Sequence, residues 1–345
     1  MSKAKKKVPG KVPGKVAVVL LNLGGPNNLD AVEPFLFNLF YDKAIIRLPN
    51  PLRWIIAKLI SRNRRETAKE IYSLVGGASP ILRETTAQKN ALEVKLQNYG
   101  DISVFISMRY WYPRADEVAQ EIKKYDPSQI IILPLYPQFS TTTTESSVQE
   151  LQAALKKAEI RAEPKLICCY YNNEGFIDSH VALIRAALIK ESIKDSDMQN
   201  ARILFSAHGL PQKIIDQGDP YQLQVERTVA AVIKKLDISN LDYKITYQSK
   251  VGPMKWLEPN TEHEIEEAAK LQKTIIVVPI AFVSEHVETL VELDIEYAKI
   301  AENYDTRYIR VPTLSTNELF ITALESLVLK ALSGENLCCN CKSSC

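Results

Sequence analysis

Runs of β-branched and apolar residues alternate with amphipathic segments from residue 16 onward. The alternation predicts strands near residues 16–21, 103–107, 130–135, 165–170, 203–206, 243–247, 274–280 and 308–311. Helical patterns separate most of them, at residues 115–124, 147–157, 176–190, 222–236 and 261–271. Strands that alternate with helices usually pair in parallel, and the helices cover the sheet. The predicted fold class is therefore α/β.

The two halves of the chain carry related motifs. Val-Leu-Leu-Asn-Leu-Gly-Gly-Pro26 resembles Leu-Phe-Ser-Ala-His-Gly-Leu-Pro211, and Ile-Ile-Leu-Pro134 resembles Ile-Val-Val-Pro279. Pro26 and Pro211 are 185 positions apart, whereas Pro134 and Pro279 are 145 apart. The first half therefore has 40 extra residues between Pro26 and Pro134.

These patterns predict a division of the chain. We expect a disordered basic tail at residues 1–15, an N-terminal domain at 16–160 with an apolar insertion at about 34–79, a C-terminal domain at 161–330 and a cysteine-rich tail at 331–345. In the insertion, aromatic and aliphatic residues precede Arg62, Arg64 and Arg65. That combination suits a flat, apolar, anionic ligand or a membrane surface. It is equally typical of a core helix followed by a solvated turn.

Composition excludes several classes of protein. A formal net charge of +2 argues against binding to nucleic acid. No apolar run is long enough to span a bilayer, and the N-terminus lacks the apolar segment of a secretory signal. Four of the six cysteines lie in the last eight residues, which is not a secreted disulfide framework. We therefore expect a cytoplasmic protein.

Titratable residues follow two of the predicted strands. Parallel sheets bind ligands beyond the carboxyl ends of their strands. His208 follows the fifth strand, and His286 follows the seventh, with Glu288 two residues later. We expect these side chains to face one cleft. The remaining histidines, His180 and His263, are predicted to lie on polar helix surfaces.

Glu288, Glu292 and Glu296 recur every fourth residue, so a helix would stack them on one face. No Lys or Arg lies among them to offset their repulsion. One interpretation is a path for metal ions or protons, and the other is a solvated helix face. The chain has no phosphate-binding loop, no G-x-S-x-G and no His-x-x-x-His. One His and one Glu suit transient handling of a metal.

Seven segments together resemble the ferrochelatase family, and they occur in the family's order across residues 16–330. They are Leu-Asn-Leu-Gly-Gly-Pro26, Gly-Gly-Ala-Ser-Pro80, Met-Arg-Tyr110, Tyr-Pro-Gln-Phe-Ser140, Phe-Ser-Ala-His-Gly-Leu-Pro211, Tyr-Gln-Ser-Lys-Val-Gly-Pro-Met-Lys-Trp256 and Pro-Ile-Ala-Phe-Val-Ser-Glu-His-Val-Glu-Thr-Leu290. The resemblance implies a chelatase-like fold. In it, two Rossmann-like domains, each a parallel sheet flanked by helices, enclose a cleft for a porphyrin.

The resemblance also implies roles for individual residues. His208 would lie at the porphyrin nitrogens with Glu288 opposite, and these two with Glu292 and Glu296 would handle the metal. The residues expected to bind the macrocycle are Leu23, Arg109, Tyr110, Trp256 and Phe282. Ser79 and Lys250 would lie near the propionates or make structural contacts. The insertion at 34–79 would form an apolar lip that contacts a membrane peripherally.

The implied reaction is insertion of ferrous iron into protoporphyrin IX, with release of two protons, as the terminal step of haem biosynthesis. Alternatives are the same chemistry on coproporphyrin III, or a haem or porphyrin carrier without catalysis. The sequence from Glu288 to Tyr297 is more similar to the protoporphyrin type. We expect a monomer or homodimer.

The C-terminal cysteines resemble the cluster of ferrochelatases that carry a [2Fe–2S] centre. The residues concerned are Cys338, Cys339, Cys341 and Cys345. In animal members a further ligand lies in the Tyr-Pro-Gln loop, where this chain has Thr141. The fourth ligand would therefore be Cys339, Cys168 or Cys169. Alternatives are free thiols in a disordered tail, or adventitious zinc.

Overall fold

The computed structural model describes residues 11–250, 252, 254–335 and 337. Within them, the strands form two four-stranded parallel sheets. The first, in the order β2-β1-β3-β4, consists of β1 (Lys15–Asn22), β2 (Asp101–Met108), β3 (Gln129–Pro134) and β4 (Pro164–Leu166). The second, in the order β6-β5-β7-β8, consists of β5 (Ala201–His208), β6 (Tyr243–Gln248), β7 (Thr274–Pro279) and β8 (Tyr308–Arg310). The predicted α/β class with two parallel sheets is confirmed.

The two sheets have the same strand order and equivalent registers. Leu21 lies opposite Pro134 in the first sheet, and Ser206 lies opposite Pro279 in the second. These are the pairings that the two motif offsets imply. The halves are therefore two copies of one arrangement, with the extra residues of the first copy between β1 and β3.

The fourth strand is shorter than predicted. Residues 165–170 are an expected strand, but β4 covers only Pro164–Leu166. β4 pairs with β3, so it is the edge strand of the first sheet although it follows the predicted boundary at residue 160. We therefore propose a domain boundary after β4.

Helices cover both faces of the sheets. They are α1 (Val32–Phe40), α2 (Asn50–Ser73), α3 (Ile81–Leu96), α4 (Ala115–Tyr125), α5 (Ser146–Lys157), α6 (Glu174–Lys190), α7 (Gln212–Asp216), α8 (Tyr221–Leu236), α9 (Thr261–Lys270), α10 (Tyr297–Glu302) and α11 (Glu318–Leu332). The predicted insertion corresponds to α1 and α2, which pack on each other. None of the helices in the described ranges combines the length and apolar composition that crossing a membrane requires.

Two π-helices follow equivalent strands of the two sheets. The first (Thr141–Glu145) comes after β3, and the second (Glu288–Glu296) comes after β7. A π-helix closes i→i+5 hydrogen bonds, is rare, and is frequent at functional sites. The periodicity of the acidic residues correctly predicts a helix here, but it gives no indication of the wider π geometry.

A continuous core joins the two halves. Val18 of β1 and Phe205 of β5 belong to the same buried cluster. Buried polar contacts also cross between the halves. Gln88 of α3 donates from Nε2 to the carbonyl oxygen of Val283 (2.8 Å), and Ser284 Oγ donates to Gln88 Oε1 (3.0 Å). The loop after β7 is thereby fixed against α3.

Two expectations are wrong in the described chain. Residues 11–15 are part of the predicted disordered tail, yet Val12 N donates to Tyr99 O (2.6 Å) and Lys15 begins β1; residues 1–10 lie outside the described residues. His180 is not on a polar surface but is 2% exposed within α6. Its ring packs on Phe176 at 4.8 Å between centroids, because that side of α6 faces the core.

Candidate active site

The site is built around a histidine–carboxylate pair. His208 is the last residue of β5, and Glu288 is the first residue of the second π-helix. β5 and β7 are parallel neighbours, so their carboxyl ends meet at one edge of the sheet. His208 Nδ1 lies 2.9 Å from Glu288 Oε2. The imidazole keeps 38% of its exposure and the carboxylate 26%, so both remain accessible to a ligand.

Glu292 joins this pair from the next turn of the π-helix. Its Oε2 accepts hydrogen bonds from Gln248 Nε2 and Ser249 Oγ, both at 2.6 Å. Gln248 Nε2 also donates to the backbone oxygen of Glu288 (3.0 Å). Glu296 is exposed and accepts no hydrogen bond from any residue of the described ranges. The structure therefore brings Glu288 and Glu292 together with His208 and leaves Glu296 at the solvent end.

The three central groups have shifted pKa values. Burial disfavours the charged imidazole, but the charge and hydrogen bond of Glu288 outweigh burial and raise the pKa of His208 above 6.5. Burial would raise the pKa of Glu288, but the charge and hydrogen bond of His208, with a smaller effect of the nearby His286, lower it below 4.5. Burial and the charge of Glu288 raise the pKa of Glu292 to about 7. At neutral pH Glu288 is therefore ionised beside an imidazole whose charged form it stabilises, and Glu292 is half-titrated.

His286 lies behind Glu288 and is almost fully buried. Its Nδ1 is 3.0 Å from the carbonyl oxygen of Ser284, and a carbonyl only accepts, so Nδ1 carries a proton. Its Nε2 lies 3.7 Å from Glu288 Oε2. The ring of Phe282 packs on His286 at 4.8 Å between centroids. The contact between Ser284 and Gln88 described above fixes this loop from the other half.

The first half contributes an ion-pair network centred on Asp42. Its Oδ2 accepts hydrogen bonds from Arg109 Nη2 (2.8 Å), Tyr110 Oη (2.8 Å) and Ser146 Oγ (2.5 Å). Arg109 Nη1 also pairs with Glu150 at 2.9 Å. Burial would raise the pKa of Asp42, but Arg109 and these donors lower it below 3.8. Because Asp42 follows α1, the network fixes the insertion to the loop after β2.

The two halves meet at an apolar cluster beside the carboxylates. Leu23, Tyr110, Tyr72 and Val287 belong to it. Tyr72 belongs to α2, so this helix packs beside the site, and burial together with the negative charge of Glu288 raises the pKa of its phenol. Gly24 has a φ of +84°, and a Cβ there would lie 3.1 Å from Met108 Cβ and from Trp111 N. Glycine therefore lets the loop after β2 approach the end of β1.

Comparison with known proteins decides the family. The family model described as Ferrochelatase matches residues 15–332. Ferrochelatase of Rickettsia felis is 59% identical over 321 residues, which cover 92% of this chain and 91% of that protein. The chain belongs to the ferrochelatase family. Ferrochelatase of Rickettsia bellii is 56% identical (96% of this chain, 94% of that protein), and that of Wolbachia is 53% identical (91% and 99%).

Solved structures confirm the chelatase-like fold. SirB from Bacillus subtilis with Fe³⁺ has a TM-score of 0.55 at 11% identity, covering 93% of this chain and 98% of that chain. The sirohydrochlorin chelatase SirB in complex with cobalt has a TM-score of 0.52 at 12% identity, covering 93% and 96%. These similarities concern the fold, whereas the family relationship makes this ferrochelatase a metal chelatase of haem biosynthesis, a lyase whose substrates are iron and a porphyrin.

The remaining residues predicted for ferrochelatase substrates lie in different surroundings. The Trp256 ring lies beside Gly209, the residue after His208, since a Cβ on Gly209 would be 3.4 Å from it. Ser79 packs on Gly25 and donates from its backbone N to Pro26 O (2.8 Å), which is a structural contact. Tyr110 is 1% exposed, so its side chain presents almost no surface to a ligand. Lys250 is exposed.

Sequence reasoning missed two residues of the candidate site. Asp42 has no signal in the sequence, because its partners are 67 and 104 positions away. Gln248 lies within the motif that ends at Trp256, and its position at the end of a strand could have indicated a role in the site.

The tail cysteines at 338–345 lie outside the described residues. In the ranges that are described, no group of three or more His, Cys, Asp and Glu side chains forms a metal site.

Proposed function

We propose that this ferrochelatase inserts ferrous iron into protoporphyrin IX and releases two protons, as the terminal step of haem biosynthesis. The observation that carries the proposal is the His208–Glu288 pair at 2.9 Å, with Glu292 beside it, at the edge where the two halves meet. Iron can enter a free porphyrin only when two pyrrole protons leave. The site therefore needs a base and acidic groups that pass on the protons or attract the metal.

His208 would act as the base. The hydrogen bond at Nδ1 leaves Nε2 to take a pyrrole proton, and the carboxylate of Glu288 stabilises the imidazolium that forms. The same carboxylate raises the pKa of His208, so the neutral base must be regenerated before each turnover. Activity should therefore increase as the pH rises through the pKa of His208.

The carboxylates would form the path between the site and solvent. Exposure falls from Glu296, at the outer end, to the partly buried Glu292 and Glu288. Glu292, with a pKa of about 7, can take up or release a proton at neutral pH. The row of carboxylates could carry iron inward or protons outward, because carboxylate oxygens can bind either a metal ion or a proton.

The wall of the cleft would select the porphyrin and bend it. Leu23, Phe282 and Trp256 present rigid apolar surface near His208, and such a wall can hold the ring distorted, with its nitrogen lone pairs tilted towards the metal. Arg109 is already paired with Asp42 and Glu150. It is therefore poorly placed to neutralise additional propionates, which supports protoporphyrin over coproporphyrin.

The deciding experiment is anaerobic metallation with ferrous iron or zinc, run in parallel on protoporphyrin and coproporphyrin. The shift of the Soret band monitors the reaction. Faster turnover of protoporphyrin supports the proposal. Faster turnover of coproporphyrin would assign the enzyme to the alternative substrate. Tight porphyrin binding without metallation would be the behaviour of a carrier and would contradict the role of His208 and Glu288.

Peripheral membrane contact through α2 is the second part of the proposal. Leu52, Ile55 and Leu59 form an apolar stripe that is 47%, 48% and 57% exposed, and the basic residues Arg62 and Arg64 follow on the same helix. An apolar face with neighbouring cations suits an anionic bilayer surface.

Vesicle sedimentation tests this contact. Replacing Leu52, Ile55 and Leu59 by Ser should reduce binding to vesicles of phosphatidylglycerol and phosphatidylcholine. The control replaces Val94 and Ile189, which are exposed elsewhere, by Ser. Equal binding of both variants would exclude the stripe. Analytical ultracentrifugation of the protein without vesicles distinguishes a monomer from a homodimer, the two states that we expect.

A [2Fe–2S] cluster on Cys338, Cys339, Cys341 and Cys345 is the third part, and it rests on the sequence. Thr141 cannot take the place of the animal ligand, since its hydroxyl donates to Asp219 Oδ2 (2.7 Å). Cys168 and Cys169 lie buried beside Phe139. Iron and acid-labile sulfide should be present in the full chain and absent after truncation at Gly334. If the truncated protein retained iron and sulfide, the cluster would have to be bound by other residues.

A further inference from the structure

A buried arginine on β8 connects the loop before the second π-helix to the last turn of that helix. Arg310 forms a bidentate ion pair with Asp294, in which Nε lies 2.6 Å from Oδ1 and Nη2 lies 2.7 Å from Oδ2. Its Nη1 donates to Glu285 Oε1 at 2.6 Å. The arginine side chain is 14% exposed, so this is a desolvated contact of fixed geometry.

The same cluster includes a residue of the first π-helical turn. Thr289 Oγ1 donates to Glu285 Oε2 (2.5 Å), so Thr289 and Asp294 both reach the cluster that Arg310 centres. They are five positions apart. In an α-helix with 3.6 residues per turn, such positions point about 140° apart. In a helix closed by i→i+5 hydrogen bonds each turn is wider, so the same two positions point much closer together. The cluster therefore fits the π geometry better than the α geometry.

The opposite side of this π-helix carries the acidic residues of the site. Gln248 Nε2 bridges the backbone oxygen of Glu288 and the side chain of Glu292. Gln248 is itself held by Ser206 Oγ, which donates to its Oε1 at 2.7 Å. Gln248 holds the reactive face against β6, whereas Arg310 holds the far face against β8.

We propose that Arg310 is a positioning residue that maintains the π register of residues 288–296 and thereby sets Glu288 and Glu292 beside His208. Among the described residues, the ion pairs of Arg310 are with Asp294 and Glu285, not with His208 or Glu288. Its effect on metal insertion acts through the helix. The functional part of this inference rests on the proposed roles of Glu288 and Glu292, whereas the structural part does not.

The test compares Arg310→Lys with Arg202→Lys. Lysine keeps the charge but cannot hold two carboxylates in a planar fork. Arg202 is a matched control, because it lies on β5 of the same sheet, is 12% exposed, and pairs with Asp242 and Glu264 without contacting the π-helix. Asp294→Asn is a second variant, which removes one carboxylate of the cluster while keeping its shape.

Two readouts separate positioning from general stability. Hydrogen–deuterium exchange should increase in residues 288–296 of Arg310→Lys and Asp294→Asn but not of Arg202→Lys. The rate of zinc insertion should fall about 10- to 100-fold in both cluster variants, the range for residues that orient metal ligands, with the porphyrin KM unchanged.

Each outcome bears on the inference. Unchanged exchange in residues 288–296 would overturn it, and so would an equal loss of activity in Arg202→Lys. Increased exchange with unchanged metal insertion would keep the structural role of Arg310 and refute its functional one. An unmutated enzyme that metallates no porphyrin would instead refute the proposed function, while the exchange measurement still tests the π register.

Discussion

The two π-helices occupy equivalent places in the two halves but carry different chemistry. Thr143 and Glu288 each lie nine residues after equivalent prolines, Pro134 and Pro279. The first π-helix has the sequence Thr-Thr-Thr-Thr-Glu, and the second begins Glu-Thr-Leu-Val-Glu. In the first, Thr141 donates from both N and Oγ1 to Asp219 of the other half (2.7 Å each). In the second, Glu288 faces His208.

A π-helix at equivalent positions therefore has a different role in each half. With hydroxyl side chains the π-helix connects the halves, because hydroxyls donate to a carboxylate without introducing charge. With carboxylates it creates a group of interacting titratable side chains. The shared fold therefore does not by itself give the second half its proposed chemistry; the side chains on the π-helix differ between the halves.

The largest effect is expected for the proposed catalytic pair. His208→Ala and Glu288→Gln should each lower the metallation rate by about 10²- to 10⁴-fold, since each removes a participant in proton transfer. Porphyrin binding, followed by fluorescence quenching, should persist because the apolar wall is unchanged. His263→Ala, at an exposed histidine, is the control. Turnover retained by His208→Ala would remove this residue from the mechanism.

Asp42→Asn should have the next largest effect, on stability. The substitution leaves Arg109 with a weaker partner in a buried network, and breaking such pairs costs about 3 kcal/mol of unfolding free energy. Urea denaturation measures the change. Glu66→Gln, at an exposed ion pair with Arg65, should cost under about 1 kcal/mol. If Asp42→Asn and Glu66→Gln lowered the unfolding free energy equally, the buried network around Asp42 would have no special structural role.

His180 should make stability fall in acid. Burial lowers its pKa from 6.5 to about 3, so between these values the unfolded chain binds a proton that the folded chain does not. Stability is therefore fully present above about pH 6.5 and falls by up to about 1.4 kcal/mol per pH unit below it. His180→Leu should remove this contribution when urea midpoints at pH 8 and pH 5 are compared. An unchanged difference would assign the acid sensitivity to other groups.

The smallest effect is expected at the counterpart of Glu288. Thr143→Val should change the metallation rate by less than about twofold, because no proton transfer is assigned to this half. The Soret assay used for Glu288→Gln measures it, and matched assays make the two positions directly comparable. A tenfold loss would mean that the first π-helix also takes part in the chemistry.

Much of the fold could be predicted from local patterns. Period-two and period-3.6 patterns predicted the eight strands and five of the eleven α-helices of the described chain, and the repeated prolines aligned the two sheets. The π geometry could not be predicted, because Glu288, Glu292 and Glu296 have the same spacing in an α-helix. His180 was misplaced because polar neighbours in the sequence do not reveal which side of a helix faces the core.

The sequence by itself determined the α/β class, the relation between the two halves and the placing of His208 and Glu288 after two strands, since these follow from short-range patterns and the family motifs. Only the tertiary structure decided that Gln248 binds both Glu288 and Glu292, that Asp42 pairs with Arg109, and that Arg310 pairs with Asp294 of the π-helix. These contacts join residues that are distant along the chain. Their distances and pKa shifts depend on how separate elements pack, which no local pattern encodes.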